Sequence, residues 1–255
     1  MIRNMTLRRT IRAWDILGET EPLWAILNDK NKTEGGWDLD DFFRTGEDEI
    51  ARALSYLSSR GIILRSGSAL DFGCGAGRLT RALGRRFERA VGLDAAPSMI
   101  ALARNLNREE SRCRFLLVQT GDLASLPDNS FDAIYSSITL QHMEPRYARR
   151  YIREFFRVLS PEGIMIFQIP SRRAGGAVAG PSRARQIIRS LVPSRLLSWY
   201  HRARYGKNAF IEMYGIPRRE IAKLLVSCGA EIIGVEENRD AGDDWESFRY
   251  YARKP

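Results

Sequence analysis

The chain has 255 residues, of which 44% are hydrophobic and 28% charged, a balance that suits one large globular α/β domain, with or without a small appendage. That composition excludes a disordered chain, a fibrous repeat and a disulfide scaffold; the three widely spaced cysteines (Cys74, Cys113, Cys228) form neither a CxxC pair nor a disulfide framework. The net charge of +9 is local, because residues 171–207 hold nine Lys or Arg and no Asp or Glu, which leaves the rest of the chain balanced.

Residues 1–61 read as a helical N-terminal extension. Thr20-Glu21-Pro22 predicts a helix start capped by Thr20, leading into Leu23, Trp24, Ile26 and Leu27. A polar loop follows from Asn28 to Gly36. Thr45, three residues before Asp48, predicts the next helix start, and Gly61 closes that helix. The basic first residues have no apolar stretch behind them, and no run approaches the roughly 18 residues of a membrane span. A cytoplasmic protein is therefore expected.

From residue 62 the pattern alternates. Strands are predicted at 68–72, 89–93, 113–119, 131–137 and 164–169, with helices at 78–87, 97–107 and 146–159 between them and a turn at 160–163. A helix at 217–228 and strands at 231–235 and 248–252 follow, the last two joined by the loop 236–247. Such alternation implies a buried, doubly wound and mostly parallel sheet of seven strands, with an antiparallel strand at its end. The expected division is an extension over 1–61 and a domain over 62–255, within which 171–216 is a basic lid or substrate insertion.

The strongest chemical signal is Leu70-Asp71-Phe72-Gly73-Cys74-Gly75-Ala76-Gly77-Arg78, where a strand ends in glycines and a helix follows. Glycines there let a ligand approach the backbone, and the helix start offers free N–H groups. Arg78 stands where a dinucleotide GxGxxG fingerprint needs its third glycine, which disfavours an NAD enzyme. Asp94 ends the second strand, placed to accept both hydroxyls of a ribose. Gly121-Asp122-Leu123 brings a further carboxylate to the loop after the third strand.

With these motifs the chain resembles the class I S-adenosylmethionine (SAM)-dependent methyltransferases, in particular those acting on small molecules. The resemblance rests on LDFGCGAGRLT (70–80), VGLDAAPSMI (91–100), GDLASLPDNSFDAIYSSITLQHM (121–143) and VLSPEGIMIFQIP (158–170). It implies a Rossmann-like methyltransferase fold, SAM as cofactor and S-adenosylhomocysteine as product. It also implies that Asp71 holds the methionine amine through water, and that Gly73, Cys74 and Gly75 pack on the methionyl and ribose portions. Asp94 would bind the ribose, with Ala95 and Met99 lining the pocket. Asp122 would meet the adenine amine with Leu123 beside the ring, and Ser137 would lie near the methionyl chain.

The implied reaction is in-line attack on the sulfonium methyl, for which the protein supplies proximity and alignment. A hydroxyl acceptor also needs a base. His142, in Leu140-Gln141-His142-Met143, follows the fourth strand, and an imidazole near neutral pKa suits proton removal. No metal-ligand spacing is present, so no metal is expected. The acceptor is read as a small or medium-sized metabolite, with sugar-like, anionic and lipid-linked compounds all open; nucleic acid is disfavoured by the neutral body. N-methylation and a non-catalytic SAM-binding regulatory subunit are the competing readings. Trp14, Trp37, Arg44, Gln141 and Tyr214 are candidate acceptor or lid residues. The interleaved apolar and Arg residues of 183–204 fit either an amphipathic lid, a basic pocket or contact with an anionic membrane. Nothing in the sequence indicates an oligomeric state.

Overall fold

The computed structural model describes residues 5–27, 36–174 and 212–255. The loop expected at 28–36 therefore falls outside the described residues except for Gly36, as does the segment 183–204.

Three helices precede the sheet: α1 (Met5–Thr20), α2 (Pro22–Ile26) and α3 (Leu39–Ser58). Then β1 (Ser68–Phe72), α4 (Arg78–Gly84), β2 (Arg89–Asp94), α5 (Pro97–Leu106), β3 (Cys113–Leu117) and β4 (Phe131–Ser136) follow. A short 3₁₀ turn (Leu140–His142), α6 (Pro145–Val158), β5 (Leu159–Arg173), α7 (Arg218–Ser227), β6 (Glu231–Asn238) and β7 (Trp245–Arg253) complete the order. The seven strands lie in the order β3-β2-β1-β4-β5-β7-β6. β1 to β5 are parallel, and β7 runs antiparallel between β5 and β6. This is the expected Rossmann-like sheet, with the strand order reversing between β1 and β4.

Two helix starts differ from expectation. α3 begins at Leu39, because Asp38 accepts the Asp41 N–H at 3.0 Å and Asp40 and Asp41 place negative charge in the first turn. Thr45 lies inside that helix, its hydroxyl donating back to the Phe42 carbonyl at 2.6 Å. Thr20 is the last residue of α1 and donates to the Ile16 carbonyl, so α2 starts on Pro22 with no side-chain cap. The turn expected at 160–163 is instead an irregularity within β5. There the register with β4 shifts, Glu162 takes φ +63°, and its N–H donates to the Lys254 carbonyl.

Each sheet face has its own core. On one side α6 and α7 bury Tyr151, Ile152, Phe155, Ile221 and Leu225 against Phe72, Ile134 and Phe167. On the other, Ile50, Ala53 and Leu57 of α3 join Leu79, Leu83, Ala69 and Tyr251. The extension thus shares a core with the sheet across residue 61. α1 crosses the carboxyl ends of the first strands and is tied to the start of α5. The Ser98 N–H donates to the Asp15 carboxylate at 2.9 Å, and the Ser98 hydroxyl donates to the Asp15 carbonyl at 2.8 Å. No helix of the described residues is long and apolar enough to cross a membrane.

Candidate functional site

The carboxyl ends of β1, β2 and β4 open into a cleft enclosing about 1070 Å³ of empty space, its open mouth included. Its floor is the glycine loop. Gly73 and Gly75 sit at φ +80° and +50°, where a side chain is strained, and a Cβ on Gly73 would stand 2.1 Å from the Thr139 hydroxyl. The N–H groups of Gly73 and Cys74 both donate to the Leu93 carbonyl, which clamps the loop to the end of β2. Asp94 is braced next to it, one carboxylate oxygen accepting the Gly75 N–H and the other the Ala96 N–H, each at 2.9 Å. Burial pushes the Asp94 carboxyl above its ordinary pKa, and these backbone donors pull the other way.

Behind the loop lies a buried ionic network that motif reading did not find. Arg78, the first residue of α4 and part of the cleft wall, meets Glu49 of α3 at 2.7 Å. Glu49 also accepts the Tyr135 hydroxyl at 3.0 Å and faces Arg249 of β7 at 3.3 Å, and Arg249 pairs with Asp240 at 2.7 Å. Burial opposes ionisation of Glu49, but Arg78 and Arg249 hold its carboxyl below the usual range. Asp71 is fully buried beside this network and accepts the Thr80 hydroxyl at 2.7 Å. Its other oxygen has no partner, and burial pushes the group up to about 7.

The opposite wall comes from α1 and from the segment after β4. Leu7, Thr10, Ile11 and Trp14 of α1 face Ile138, Thr139, His142 and Met143 across the cleft. The Trp14 and His142 rings meet edge to face with centroids 5.2 Å apart. The near-neutral imidazole expected for His142 is not found: desolvation by the cleft walls lowers its pKa to about 4.

Of the residues singled out from the sequence, the cleft gathers Gly73, Cys74, Gly75, Asp94, Ala95, Met99, Ser137, Trp14 and His142. The others lie off it, Asp71 among them, buried behind the glycine loop. Asp122 pairs with Arg150 at 2.7 Å, and Leu123 is fully buried in the α6 core; Val118 and Thr120 line the cleft on that side instead. Trp37 packs edge to face on Phe42, with its indole N–H given to the Leu27 carbonyl. Arg44 is exposed and paired with Asp41 at 3.1 Å. Gln141 is buried behind His142, and the Tyr214 N–H donates to its carbonyl. The α1 residues were legible: Leu7, Ile11 and Trp14 recur at helical spacing. Glu49 carried no local signal.

A sheet of this topology, with a glycine loop and a carboxylate meeting at its switch point, defines a nucleoside-binding α/β protein. Residues 70–167 match the family described as methyltransferase domain. The ubiquinone biosynthesis O-methyltransferase of Xanthomonas campestris pv. campestris (strain B100) is 27% identical over 183 residues, 67% of this chain and 75% of that protein. A malonyl-[acyl-carrier protein] O-methyltransferase of Serratia marcescens is 34% identical over 100 residues, 38% of this chain and 36% of that protein. The crystal structure of magnesium protoporphyrin IX methyltransferase from Synechocystis PCC 6803 with bound SAH shares the fold at a TM-score of 0.64 and 17% identity, covering 98% of this chain and 100% of that one. Residues 70–167 form a SAM-dependent methyltransferase domain of the class I fold, and SAM is its cofactor.

Proposed function

We propose that the chain transfers the SAM methyl group to a hydroxyl of a small or medium-sized acceptor. The observation that carries this reading is one cleft that joins Asp94 and the glycine loop to Trp14 and His142. Each Asp94 oxygen keeps a lone pair beyond its backbone bond, enough for the two ribose hydroxyls. The positive φ of Gly73 and Gly75 keeps the loop free of Cβ atoms beneath the ligand. The unpartnered oxygen of Asp71 fits a hold on the methionine amine through water. Met99, Ala95 and Val118 would flank the adenine.

SAM supplies an activated methyl, so the protein's task is mainly alignment. His142, which burial lowers to about 4 and so keeps neutral and able to accept, would take the hydroxyl proton as the new O–C bond forms. Trp14, Leu7 and Ile11 present an apolar wall, which suits an acceptor with an apolar or aromatic body beside its hydroxyl. The two relatives named as O-methyltransferases support oxygen as the methylated atom, and the malonyl-carrier relative adds carrier-linked compounds to the acceptors worth testing.

The test is calorimetric titration of SAM and S-adenosylhomocysteine, followed by mass spectrometry of hydroxylated acceptors incubated with SAM. Micromolar binding that Asp94→Ala weakens, and a methyl gained on oxygen, are expected. Methylation on nitrogen alone would overturn the choice of atom. Tight SAM binding with no transfer to any acceptor would favour the regulatory subunit.

A further inference from the structure

We infer that Gln168 and Gln141 are positioning residues that hold His142 in one tautomer, with its proton on Nδ1 and the Nε2 lone pair as the proton acceptor. The inference rests on the methyltransferase reading only for its use, since the tautomer follows from hydrogen bonds alone.

Amide orientations and histidine tautomers are ordinarily assigned rather than seen. Here both ends of the chain of bonds are backbone groups, whose polarity is fixed. The Ile138 N–H can only donate, and it meets Gln168 Oε1 at 3.0 Å. That contact orients the Gln168 amide, so its Nε2 donates, to Gln141 Oε1 at 3.1 Å and to the Ser247 hydroxyl at 2.7 Å. The Gln141 amide is then oriented in turn, and its Nε2 lies 3.2 Å from His142 Nε2. An NH₂ group donates there, so His142 Nε2 is the acceptor and carries no proton. At the other end His142 Nδ1 lies 3.4 Å from the Glu212 carbonyl, which can only accept, so Nδ1 carries the proton. The two assignments are independent and agree.

Burial gives the arrangement its force. Gln168 is 0% exposed and Gln141 2%, so a reversed amide would set donor against donor with no water to relieve it. The start of the relay is itself under strain: Ile138 is a β-branched residue at φ +55°, a conformation that persists only where its surroundings hold it. The Gln168 acceptor is one of those holds.

The consequence for catalysis is directional. In the free protein Gln141 occupies the Nε2 lone pair, so proton transfer requires the Gln141 amide to move aside and an acceptor hydroxyl to take its place. As that oxygen bonds to the methyl carbon, the S–C bond breaks, its electron pair returns to sulfur, and the hydroxyl proton passes to Nε2. The imidazolium so formed keeps its Nδ1–H on the Glu212 carbonyl.

The test reads the ring nitrogens by ¹⁵N NMR. His201 is the only other histidine of the chain, and a His201→Gln background leaves one imidazole to observe. At neutral pH the expected spectrum is a neutral ring protonated at Nδ1; a ring protonated at Nε2 would overturn the inference without any further variant. Gln168→Glu supplies the second arm. Once its carboxyl is ionised it keeps an acceptor for the Ile138 N–H and cannot donate to Gln141, so the Gln141 amide turns and offers its oxygen to Nε2; the spectrum is followed up to about pH 9, because a protonated carboxyl at this buried position would still donate. Protonation at Nε2 is expected, together with a fall in kcat of about a hundredfold and little change in SAM affinity. A ring unchanged up to about pH 9 in a folded Gln168→Glu protein would overturn the relay. A failed SAM titration would instead strike the methyltransferase reading and leave the tautomer result standing.

Discussion

The cofactor half and the acceptor half of the cleft are built by different means. The cofactor half is mostly backbone: glycines at the end of β1, the Leu93 carbonyl that clamps them, and Asp94 held by two N–H groups. Every part lies within one β-α-β unit. The acceptor half is mostly side chain, assembled from α1, the 3₁₀ turn, β5 and β7. The first half is rigid because local geometry leaves it no alternative. The second is set by contacts between segments up to 128 residues apart, as from Trp14 to His142, so it can vary its acceptor while the cofactor site stays the same.

The largest expected effect tests whether the backbone half is self-sufficient. If the ionic network behind Arg78 braces the loop, Glu49→Ala leaves the buried Arg78 guanidinium without its carboxylate and Arg249 with Asp240 alone. Breaking a buried pair costs about 3–5 kcal/mol, which for a protein of this size lowers Tm by roughly 10 °C. Thermal unfolding checks this. Glu49→Gln should lose less, because it still accepts the Tyr135 hydroxyl. A Glu49→Ala protein that melts with the wild type would show that the loop needs no brace.

Next in size is Asp94→Ala. It removes the acceptor proposed for two ribose hydroxyls and the partner of Gly75 and Ala96, so SAM affinity should fall by about a hundredfold or more. Calorimetry measures it. The complement is Trp14→Ala, on the other side of the cleft. It should raise the acceptor KM about tenfold while SAM affinity stays within about twofold. Equal losses in both would erase the division between the halves.

The same division explains what could be read from residue order. The parallel sheet and its edge pair were legible because apolar runs and turn residues recur in a regular order. The glycine loop and Asp94 were legible because each sits at a fixed offset from a strand end. Asp122 shows the limit. It occupies the position that resemblance assigns to the adenine, but the Arg150 guanidinium lies across the gap on α6, and no local pattern shows that. Trp37 and Arg44 likewise look like pocket residues by type, yet each has a partner within its own helical layer. Glu49 and Gln168 gave no sign at all. One lies on a helix face with other acids around it, the other inside an apolar strand, and their meaning comes from what Arg249, Ile138 and Gln141 bring to them. Helix starts failed for a smaller reason: Thr20 and Thr45 both satisfy their hydroxyls within the preceding turn.

The smallest expected effect is a pH dependence, and it separates Asp71 from Asp94 within the cofactor half. Asp71 has an ordinary value of 3.8 and is pushed up to about 7 by burial. A raised carboxyl favours the protonated form in the folded chain. Its contribution to stability is therefore complete below about pH 4 and is lost as pH rises through about 7. Asp71→Asn fixes the neutral form and should flatten that slope, so the variant gains on the wild type between about pH 4 and pH 7 in denaturant titrations and keeps that gain above. SAM should reverse the preference, since a cationic methionine amine beside Asp71 stabilises the carboxylate. Binding at pH 6 would then release part of a proton, and SAM affinity would rise towards pH 8. Calorimetry in two buffers of different ionisation heat counts that proton. Release in the wild type and none in Asp71→Asn would place the methionine amine at Asp71; equal release in both would assign the proton to another group, and the cofactor half would then hold the methionyl end by backbone alone.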